Sequence, residues 1–423
     1  MSNAFPGPDV SSERGRVVVV GAGPAGLMAA EAVAAAGHPV TVIEQMPSAG
    51  RKLLMAGRGG LNLTHSEPIE NFLDRYGDAR AALESAVRAF PPEALVRWAE
   101  ALGQKTFVGT SGRIFPRAMK ASPLLRAWLG RLADLGVEIR LRHRLVDFLP
   151  TGGIVLADAA GERVEIRAEA VILALGGASW PRLGSDGHWT ALLGAKGVDV
   201  VPMEAANSGV AIGWGRTLVE RYAGAPLKRI AVSCGGATSR GEAIVTSSGL
   251  EGGAIYALST ALRTALREHA SAALSIDLRP DISPEALAER LASARKGDTQ
   301  SNILRKAGRL SPAAVAVLRE GVANRLPVEP AALASLIKAV PLVVTGIGAI
   351  ESAISTAGGL SWQEIHANFM LKKLPGIFCA GEMLDWEAPT GGYLLQACFA
   401  TGKAAGRGVL AHLADRARSA SQH

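Results

Sequence analysis

Apolar runs of β-branched residues alternate with alanine-rich segments at the beginning of the chain. Residues 17–20 read Val-Val-Val-Val, and residues 40–43 read Val-Thr-Val-Ile. Wholly apolar runs of this length predict strands that are buried on both faces, as in a parallel sheet. Residues 25–36 between them are rich in alanine and leucine and predict a helix that ends at Gly37. The pattern therefore predicts a strand–helix–strand unit that leads to Glu44.

The turn between the first strand and the helix carries the pattern G-x-G-x-x-G, formed by Gly21, Gly23 and Gly26. The first glycine permits a tight turn, the second lets backbone approach a pyrophosphate, and the third allows close packing of helix on strand. Pro24 suits the helix start, whose free N–H groups and dipole attract phosphate. Glu44 lies 18 residues beyond Gly26, close to the spacing at which a carboxylate binds ribose hydroxyls. These features together predict an adenine dinucleotide.

A complementary pattern lies near the end of the chain. Residues 376–385 read Gly-Ile-Phe-Cys-Ala-Gly-Glu-Met-Leu-Asp, and residues 390–396 read Thr-Gly-Gly-Tyr-Leu-Leu-Gln. They predict a strand, an acidic residue at its end (Glu382) and a new helix start. A dinucleotide held from both ends of the chain is typical of flavoproteins rather than of simple nicotinamide enzymes.

The remaining segments predict further elements of both types. Helices are predicted near 79–102, 124–135 and 393–414, and strands near 137–141, 145–149, 154–157, 164–166 and 171–175. Residues 199–255 hold short β-like stretches among glycines, and residues 256–338 are predicted to be mostly helical.

A second G-x-G occurs in residues 345–350, after an apolar run. Too few residues separate it from the glycines at 358 and 359 for a second strand–helix–strand unit. The sequence therefore predicts no separate NAD(P)H domain. Electrons are expected from NAD(P)H that docks transiently, or from the substrate itself.

The segment 17–37 is apolar enough to imitate a membrane span or a signal sequence. It contains three glycines, a proline and Glu31, it fits the nucleotide motif throughout, and neither a cleavage-site pattern nor a stop-transfer segment follows. No membrane association is predicted.

The length and composition are those of a large globular protein, because 48% of the 423 residues are hydrophobic and 20% are charged. Cys234, Cys379 and Cys398 form neither a disulfide framework nor a C-x-x-C pair, which argues against a dithiol redox centre. The cytoplasm is the expected compartment, and no metal site is predicted.

The net charge of +7 permits an anionic partner such as RNA. No run of five basic residues and no aromatic–basic RNA-binding pattern is present, so a solvated positive surface is the simpler interpretation. His65, His188 and His366 are candidate proton donors, although a single histidine is more often structural.

The sequence resembles the bacterial FAD-dependent oxidoreductases of the BaiN/RdsA type, also called HI0933-like or YhiN-like flavoproteins, and it is closest to a proteobacterial subgroup of them. The matching segments span nearly the whole chain and are residues 21–26, 50–57, 171–177, 241–246, 355–360, 364–385 and 390–396.

The resemblance implies an α/β protein in three parts. A Rossmann-like FAD-binding domain is built from residues 1–198 and 353–423. A small β-barrel, from 199–255 and 339–352, and a helical domain, from 256–338, are inserted between its halves.

The resemblance and the glycine pattern together imply non-covalent FAD and a set of residues that contact it. These are Gly21, Ala22, Gly23, Pro24, Ala25, Gly26, Glu44, Gln45, Arg51, Lys52, Leu53, Gly59, Asn62, Leu145, Ala174, Leu175, Gly176, Gly381, Glu382, Thr390, Gly391, Gly392, Tyr393 and Leu394. His188 is the preferred catalytic histidine because its loop corresponds to a family segment near the flavin.

Two segments depart from the family pattern. The family's Gly-Gly-Arg-Cys-Asn corresponds to residues 57–62, where the cysteine is absent, and its Thr-Gly-Asp-Gly-Tyr corresponds to residues 184–189. Relatives are associated with aminoacetone oxidation, bile-acid reduction and dihydrouridine formation in ribosomal RNA, so the fold does not fix the substrate.

The sequence thus predicts an FAD-dependent oxidoreductase that exchanges hydride between flavin N5 and a small organic substrate, an amine or an unsaturated compound. The alternatives are an RNA-binding flavoprotein that acts on ribosomal RNA and a flavin-binding scaffold without turnover. The oligomeric state is left open.

Overall fold

A computed structural model of the chain describes residues 16–56, 59–150, 152–295 and 297–421. The strands are β1 (Val17–Val20), β2 (Val40–Glu44), β3 (Thr64–His65), β4 (Thr106–Val108), β5 (Arg113–Pro116), β6 (Glu138–Leu141), β7 (Arg144–Phe148), β8 (Ile154–Ala157), β9 (Arg163–Ile166), β10 (Ala170–Leu173), β11 (Val200–Ala206), β12 (Val210–Ile212), β13 (Pro226–Cys234), β14 (Ala237–Val245), β15 (Gly249–Glu251), β16 (Ala272–Asp277), β17 (Val340–Ile347), β18 (Ser355–Leu360) and β19 (Ile377–Cys379).

The helices are α1 (Pro24–Ala34), α2 (Arg51–Ala56), α3 (Ile69–Asp74), α4 (Arg80–Ala89), α5 (Pro92–Ala101), α6 (Ala121–Asp134), α7 (Trp189–Gly194), α8 (Arg216–Tyr222), α9 (Gly253–Tyr256), α10 (Ser259–His269), α11 (Pro284–Ala292), α12 (Gln300–Lys306), α13 (Pro312–Gly321), α14 (Pro330–Lys338) and α15 (Tyr393–Ala420). Short 3₁₀ turns occupy Gly77–Ala79, Pro181–Leu183, Ile350–Ser352, Trp362–Glu364 and Gly381–Met383.

The chain divides into two compact units, residues 1–204 with 356–423 and residues 205–355. The first unit is built on a five-stranded sheet of order β19-β10-β1-β2-β6, in which all neighbouring strands are parallel. The predicted strands β1 and β10 are buried along their whole length, as expected for strands that are covered on both faces. Both ends of the chain contribute to this sheet, and the predicted α/β fold class is confirmed.

The second unit contains a closed barrel of order β12-β15-β14-β13-β16-β17. Its strands and the helices α8–α14 share one hydrophobic core, which includes Val232, Leu287 and Ile337. The barrel and the helical part that the sequence predicts both lie within residues 205–355.

The structure refines the assignment of three segments. β16 lies inside the range 256–338 that the sequence predicts to be helical, because the alternation of buried and exposed residues in this strand is too short to stand out among helices. The helix predicted near 79–102 is two helices, since Pro91 and Pro92 end α4 and begin α5. The G-x-G at 346–348 belongs to the end of barrel strand β17.

The apolar segment near the beginning of the chain forms β1 and α1 of the sheet unit. Within the described ranges, no helix is long and apolar enough to cross a membrane.

Candidate functional site

A cleft opens in the first unit where β1, β2 and β10 end. Its lining brings together many of the residues that the sequence predicts for FAD, although they are far apart in the chain. Those that line the cleft are Gly21, Ala22, Gly23, Pro24, Ala25, Glu44, Gln45, Arg51, Lys52, Leu53, Leu145, Ala174, Leu175, Gly176, Gly381 and Glu382, together with His188. Ligands of open parallel sheets bind at this edge, outside the carboxyl ends of the strands.

The three motif glycines have different surroundings. A Cβ on Gly21 would lie 2.2 Å from the Ala174 carbonyl oxygen, and one on Gly26 would lie 1.9 Å from the Gly21 carbonyl oxygen. These two glycines therefore allow close packing of β1, β10 and α1. A Cβ on Gly23 would meet nothing within 4 Å, so the backbone at this position faces free space, as the approach of a pyrophosphate requires.

Glu44 closes the cleft at the end of β2. Its carboxylate accepts hydrogen bonds from the backbone N–H groups of Ala22 (2.9 Å) and Met46 (2.8 Å). Burial raises the pKa of this carboxyl above its ordinary value, against the lowering effect of these two bonds. Each oxygen keeps a second lone pair that can accept a ribose hydroxyl.

Arg51 lines the same cleft at the start of α2. Its Nη1 donates to Ser48 Oγ over 3.1 Å, whereas its Nε is buried without a hydrogen-bond partner. Ser185 Oγ, also in the cleft lining, is buried and unpaired in the same way. Buried polar atoms without partners are rare in folded proteins, so these two atoms indicate a polar ligand that completes the site.

Lys52 and Glu382 join the two ends of the chain across the cleft. Lys52 Nζ lies 2.7 Å from Glu382 Oε2 and 2.6 Å from Ser179 Oγ. The other oxygen of Glu382 accepts the Thr356 N–H over 3.1 Å. The ion pair is mostly shielded from solvent, so the Glu382 carboxylate is held in place where it can accept a bond from a ligand hydroxyl.

Leu145 lies on β7, where the pairing with β8 shifts register between Leu145 and Asp147. The extra residue at this bulge is Val146, which also lines the cleft. A bulge leaves backbone groups unpaired and often lies beside a binding site. The sequence predicts Leu145 but not Val146, because no residue pattern in the strand shows a register shift.

A second group of predicted residues lies outside the cleft lining. It consists of Gly26, Gly59, Asn62, Thr390, Gly391, Gly392, Tyr393 and Leu394. Asn62 Oδ1 is buried without a hydrogen-bond partner. Gly57 and Arg58 of the loop that departs from the family pattern lie outside the described residues.

Gly392 precedes α15 with a φ of 97°. A Cβ at this position would lie 2.5 Å from Thr64 Cα, so the missing side chain of Gly392 lets α15 begin against the backbone of β3. Tyr393 is held next to it, because its hydroxyl donates to Glu67 Oε1 over 2.6 Å. The sequence predicts that Gly392 allows backbone to approach a flavin ring, and the side of Gly392 where a Cβ would project faces the backbone of Thr64.

His188 occupies the Glu44 side of the cleft. Its Nδ1 lies 3.0 Å from Asp186 Oδ2, and 75% of its side chain is exposed. Gln45, which follows Glu44, donates to the Gly184 carbonyl over 2.8 Å and to Asp186 over 3.3 Å. Asp186 is not among the residues that the sequence predicts for the site, although it lies in the loop 184–189 that departs from the family pattern. The other candidate histidines, His65 and His366, do not line the cleft.

This arrangement fits the predicted dinucleotide site. The Gly23 backbone faces free space, the Glu44 carboxylate lies at the end of β2, the Arg51 Nε lacks a partner, and the Lys52–Glu382 ion pair links the two ends of the chain. The family model for the HI0933-like protein Rossmann domain matches residues 15–408. The chain belongs to the HI0933-like family. As a member of this family, the protein is an FAD-dependent oxidoreductase.

Relatives of this HI0933-like protein include a curated enzyme of nearly the same length. The 3-dehydro-bile acid delta(4,6)-reductase of Clostridium scindens is 26% identical over 414 residues, which are 93% of this chain and 98% of that one. Among solved structures, the 3-ketosteroid delta1-dehydrogenase of Sterolibacterium denitrificans has a TM-score of 0.49 at 14% identity, covering 94% of this chain and 100% of that one. The 3-ketosteroid-delta4-(5alpha)-dehydrogenase of Rhodococcus jostii RHA1 has a TM-score of 0.44 at 18% identity, with coverages of 95% and 97%.

The cysteines of this HI0933-like protein are expected to take no part in electron transfer. Burial raises the pKa of the Cys379 thiol far above its ordinary value and that of Cys398 to about 12, and a protonated thiol is a poor nucleophile. Cys234 is buried in the other unit. We predict that the triple variant Cys234→Ser, Cys379→Ser, Cys398→Ser loses stability but keeps a flavin that is reduced at nearly the wild-type rate in stopped-flow absorbance. Loss of reduction in a folded, FAD-loaded variant would show that a thiol takes part.

Proposed function

We propose that the protein catalyses hydride exchange between bound FAD and a small organic substrate, with NAD(P)H as the electron donor. An unsaturated compound that is reduced is our first choice of substrate, and an amine that is oxidised is the second. The observation that carries this choice is the likeness, over 98% of its length, to a reductase of a small unsaturated bile-acid compound.

We propose the following roles for the cleft residues. Glu44 accepts ribose hydroxyls, and the N–H groups at the start of α1, with Arg51, hold the pyrophosphate. Glu382, fixed by Lys52, accepts a hydroxyl of the ribityl chain. FAD, when bound, supplies the two-electron chemistry.

We propose that His188 is not the proton donor to the substrate. Its contact with Asp186, and the contact of Gln45 with both Asp186 and the Gly184 carbonyl, associate this loop with the ribose carboxylate Glu44. The exposed imidazole is better suited to the edge of the adenosine half. Replacement of His188 by alanine should then change retention of FAD more than the rate of substrate turnover.

The experiment that tests the proposed function uses FAD-loaded protein under anaerobic conditions. In one sample the flavin is reduced chemically and the protein is then mixed with an α,β-unsaturated ketone. In a second sample the flavin is left oxidised and the protein is mixed with a primary amine such as aminoacetone. Recovery of the oxidised flavin spectrum with the ketone, together with the saturated product, supports the proposal. A flavin that reacts with neither class would contradict it.

An RNA substrate is the second candidate, favoured by the net charge of +7. Binding through several phosphates releases counterions, so the affinity of an RNA partner falls by about 10³ or more between low and physiological salt. We predict that the protein binds ribosomal RNA fragments only weakly, and that turnover of the true substrate changes little with salt. Filter binding across a salt series checks this. Tight, salt-sensitive binding, together with dihydrouridine missing from a deletion strain, would overturn the small-molecule proposal.

A further inference from the structure

The hairpin of β4 and β5 carries an unusual set of side chains on its solvent face. Side chains alternate between the two faces of a strand, and Phe107 pairs with Phe115 while Thr106 pairs with Pro116. The pairing extends by one step, because the Arg117 N–H donates to the Lys105 carbonyl over 2.8 Å. Phe107, Phe115, Lys105 and Arg117 therefore lie on one face.

The two phenyl rings form a platform. Their centroids are 5.8 Å apart with an interplanar angle of 28°, and Phe107 is 38% exposed. On the opposite face, Ile114 and Pro116 are buried. The hairpin thus leaves Phe107 exposed and Phe115 half-buried, although full burial would be more favourable for both rings.

Positive charge surrounds this platform. Lys105 and Arg117 stand directly opposite each other, an arrangement of like charges that destabilises a hairpin unless something compensates it. Arg113 lies on the same face, two residues from Phe115. No aspartate or glutamate occurs from residue 102 to residue 133, and no carboxylate in the described ranges forms an ion pair with these three cations.

Glu100 is an acid that contacts the hairpin, and it does so from the other face. Glu100 Oε1 accepts a hydrogen bond from Thr106 Oγ1 over 3.1 Å, and Thr106 points away from the phenyl platform by the strand alternation. The platform and its cations therefore offer an unopposed site for a ligand that has both a planar ring and a strong negative charge.

The platform also lies beside the loop that the sequence predicts for FAD. A Cβ on Gly60 would lie 3.7 Å from two atoms of the Phe115 ring and 2.5 Å from Met119 Cε. The backbone of this loop therefore runs directly against the platform, one residue from Gly59 and two from Asn62.

We propose that this face binds the adenosine 2′-phosphate of NADPH, the electron donor; the inference rests on the proposed function and adds to it the site and the choice of donor. The adenine stacks on Phe107 and Phe115, and Lys105 and Arg117 hold the phosphate dianion, as arginine does in other NADP sites. Two residues along a strand span about 6.6 Å, which suits the separation of base and phosphate within one nucleotide. NADPH bound at this face would supply one hydride, two electrons with one proton, and would leave as NADP⁺, and FAD held by the cleft residues would take up that hydride.

Two features favour a single dinucleotide over an RNA strand. Proteins that bind single strands use several aromatic platforms along a basic groove, whereas this hairpin offers one ring pair with cations on either side. A surface site for the donor is also needed, because the cleft at the edge of the five-stranded parallel sheet is the one predicted to hold FAD.

The test measures binding and reduction separately in the FAD-loaded protein. Adenosine 2′,5′-bisphosphate, which cannot donate a hydride, is titrated by calorimetry into the wild type and into the variants Arg117→Gln and Phe107→Leu. The control variant is Arg97→Gln, which removes an exposed cation from α5. We expect Arg117→Gln and Phe107→Leu to weaken binding about tenfold or more, and Arg97→Gln to leave it unchanged. With NADPH, Arg117→Gln should raise KM by the same factor at constant kcat, and with NADH it should have little effect.

Several outcomes would overturn the inference. The first is that the wild type does not bind the bisphosphate, and the second is that Arg117→Gln binds it as tightly as the wild type does. The third is that the enzyme uses NADH and NADPH equally well. The fourth is that Arg117→Gln loses RNA binding but retains binding of the bisphosphate. Failure of the proposed function is recognised separately, because chemically reduced protein would then transfer no electrons to an unsaturated ketone. If that transfer occurs while the bisphosphate does not bind, only the donor site is wrong.

Discussion

Replacement of Glu44 by glutamine is expected to lower the affinity for FAD by about 10- to 100-fold, since bonds to a charged group contribute about 1.5–3 kcal/mol. Glutamine keeps the size of the side chain but presents an NH₂ group to one of the two backbone N–H donors, Ala22 and Met46. It also removes the charge that attracts the ribose hydroxyls. Equilibrium titration of the apoprotein with FAD, followed by flavin fluorescence, measures the loss.

A matched control is available on the neighbouring strand. Glu138 lies on β6 and pairs with Arg140 at the protein surface, so Glu138→Gln changes the same functional group outside the cleft. Its affinity for FAD should equal that of the wild type. Equal FAD binding by Glu44→Gln and Glu138→Gln would remove Glu44 from the site.

The affinity for FAD should also fall at low pH. Burial raises the pKa of Glu44 in the free protein, and ribose hydroxyls donate to the ionised form. The affinity for FAD therefore has its full value above this raised pKa, and it falls as the pH is lowered through the pKa. In Glu44→Gln this component of the pH dependence should be absent, which titrations over the acidic range can determine.

The second large effect is expected at Gly392. An alanine there would adopt a φ of 97°, which costs about 1–2 kcal/mol, and its Cβ would also lie 2.5 Å from Thr64 Cα and 2.7 Å from the Thr64 carbonyl oxygen. Because backbone atoms of β3 cannot rotate away, the start of α15 must move. We expect Gly392→Ala, and more strongly Gly392→Val, to lose bound flavin while the barrel unit stays folded.

The variant Gly37→Ala is a control that separates the effect of backbone strain from the effect of steric overlap in Gly392→Ala. Gly37 has a φ of 88°, but a Cβ there meets nothing within 4 Å. This variant should therefore show only the conformational penalty in thermal unfolding and should keep its flavin. If Gly392→Ala retains flavin and reduction rate as well as Gly37→Ala does, the close approach to Thr64 has no functional importance.

The sequence could predict those parts of the fold that are encoded locally. The strand β1, the glycines Gly21, Gly23 and Gly26, and the acid at the end of β2 lie within about 30 residues of each other, and their spacing follows from the geometry of one strand–helix–strand unit. The same reasoning found β10 and β19, because strands that are buried on both faces are continuous apolar runs.

Other features depend on contacts between distant segments and could not be predicted. Val146 lines the cleft because of a register shift in β7, and the reason for a glycine at 392 lies in the backbone of Thr64, 328 residues earlier. The barrel strand β16 is likewise hard to predict, because it is short and lies among helices, and its partners β13 and β17 come from both sides of the helical segment.

The outward platform of Phe107 and Phe115 was also invisible to sequence patterns. The two rings are separated by a turn, and only the register of β4 with β5 shows that they share a face with Lys105 and Arg117. A search for runs of basic residues misses such a site, because its charges alternate with apolar residues along two strands.

The central claim is that both ends of this chain hold one FAD for redox chemistry. Its most direct test is to denature the purified protein, separate the released cofactor by chromatography and identify it by mass and absorbance, with anaerobic reduction of the native sample in parallel. We predict one FAD for each chain, released without proteolysis and reducible before denaturation. Release of FMN or of a nicotinamide nucleotide alone, or FAD that no reductant can reduce in the native protein, would contradict it.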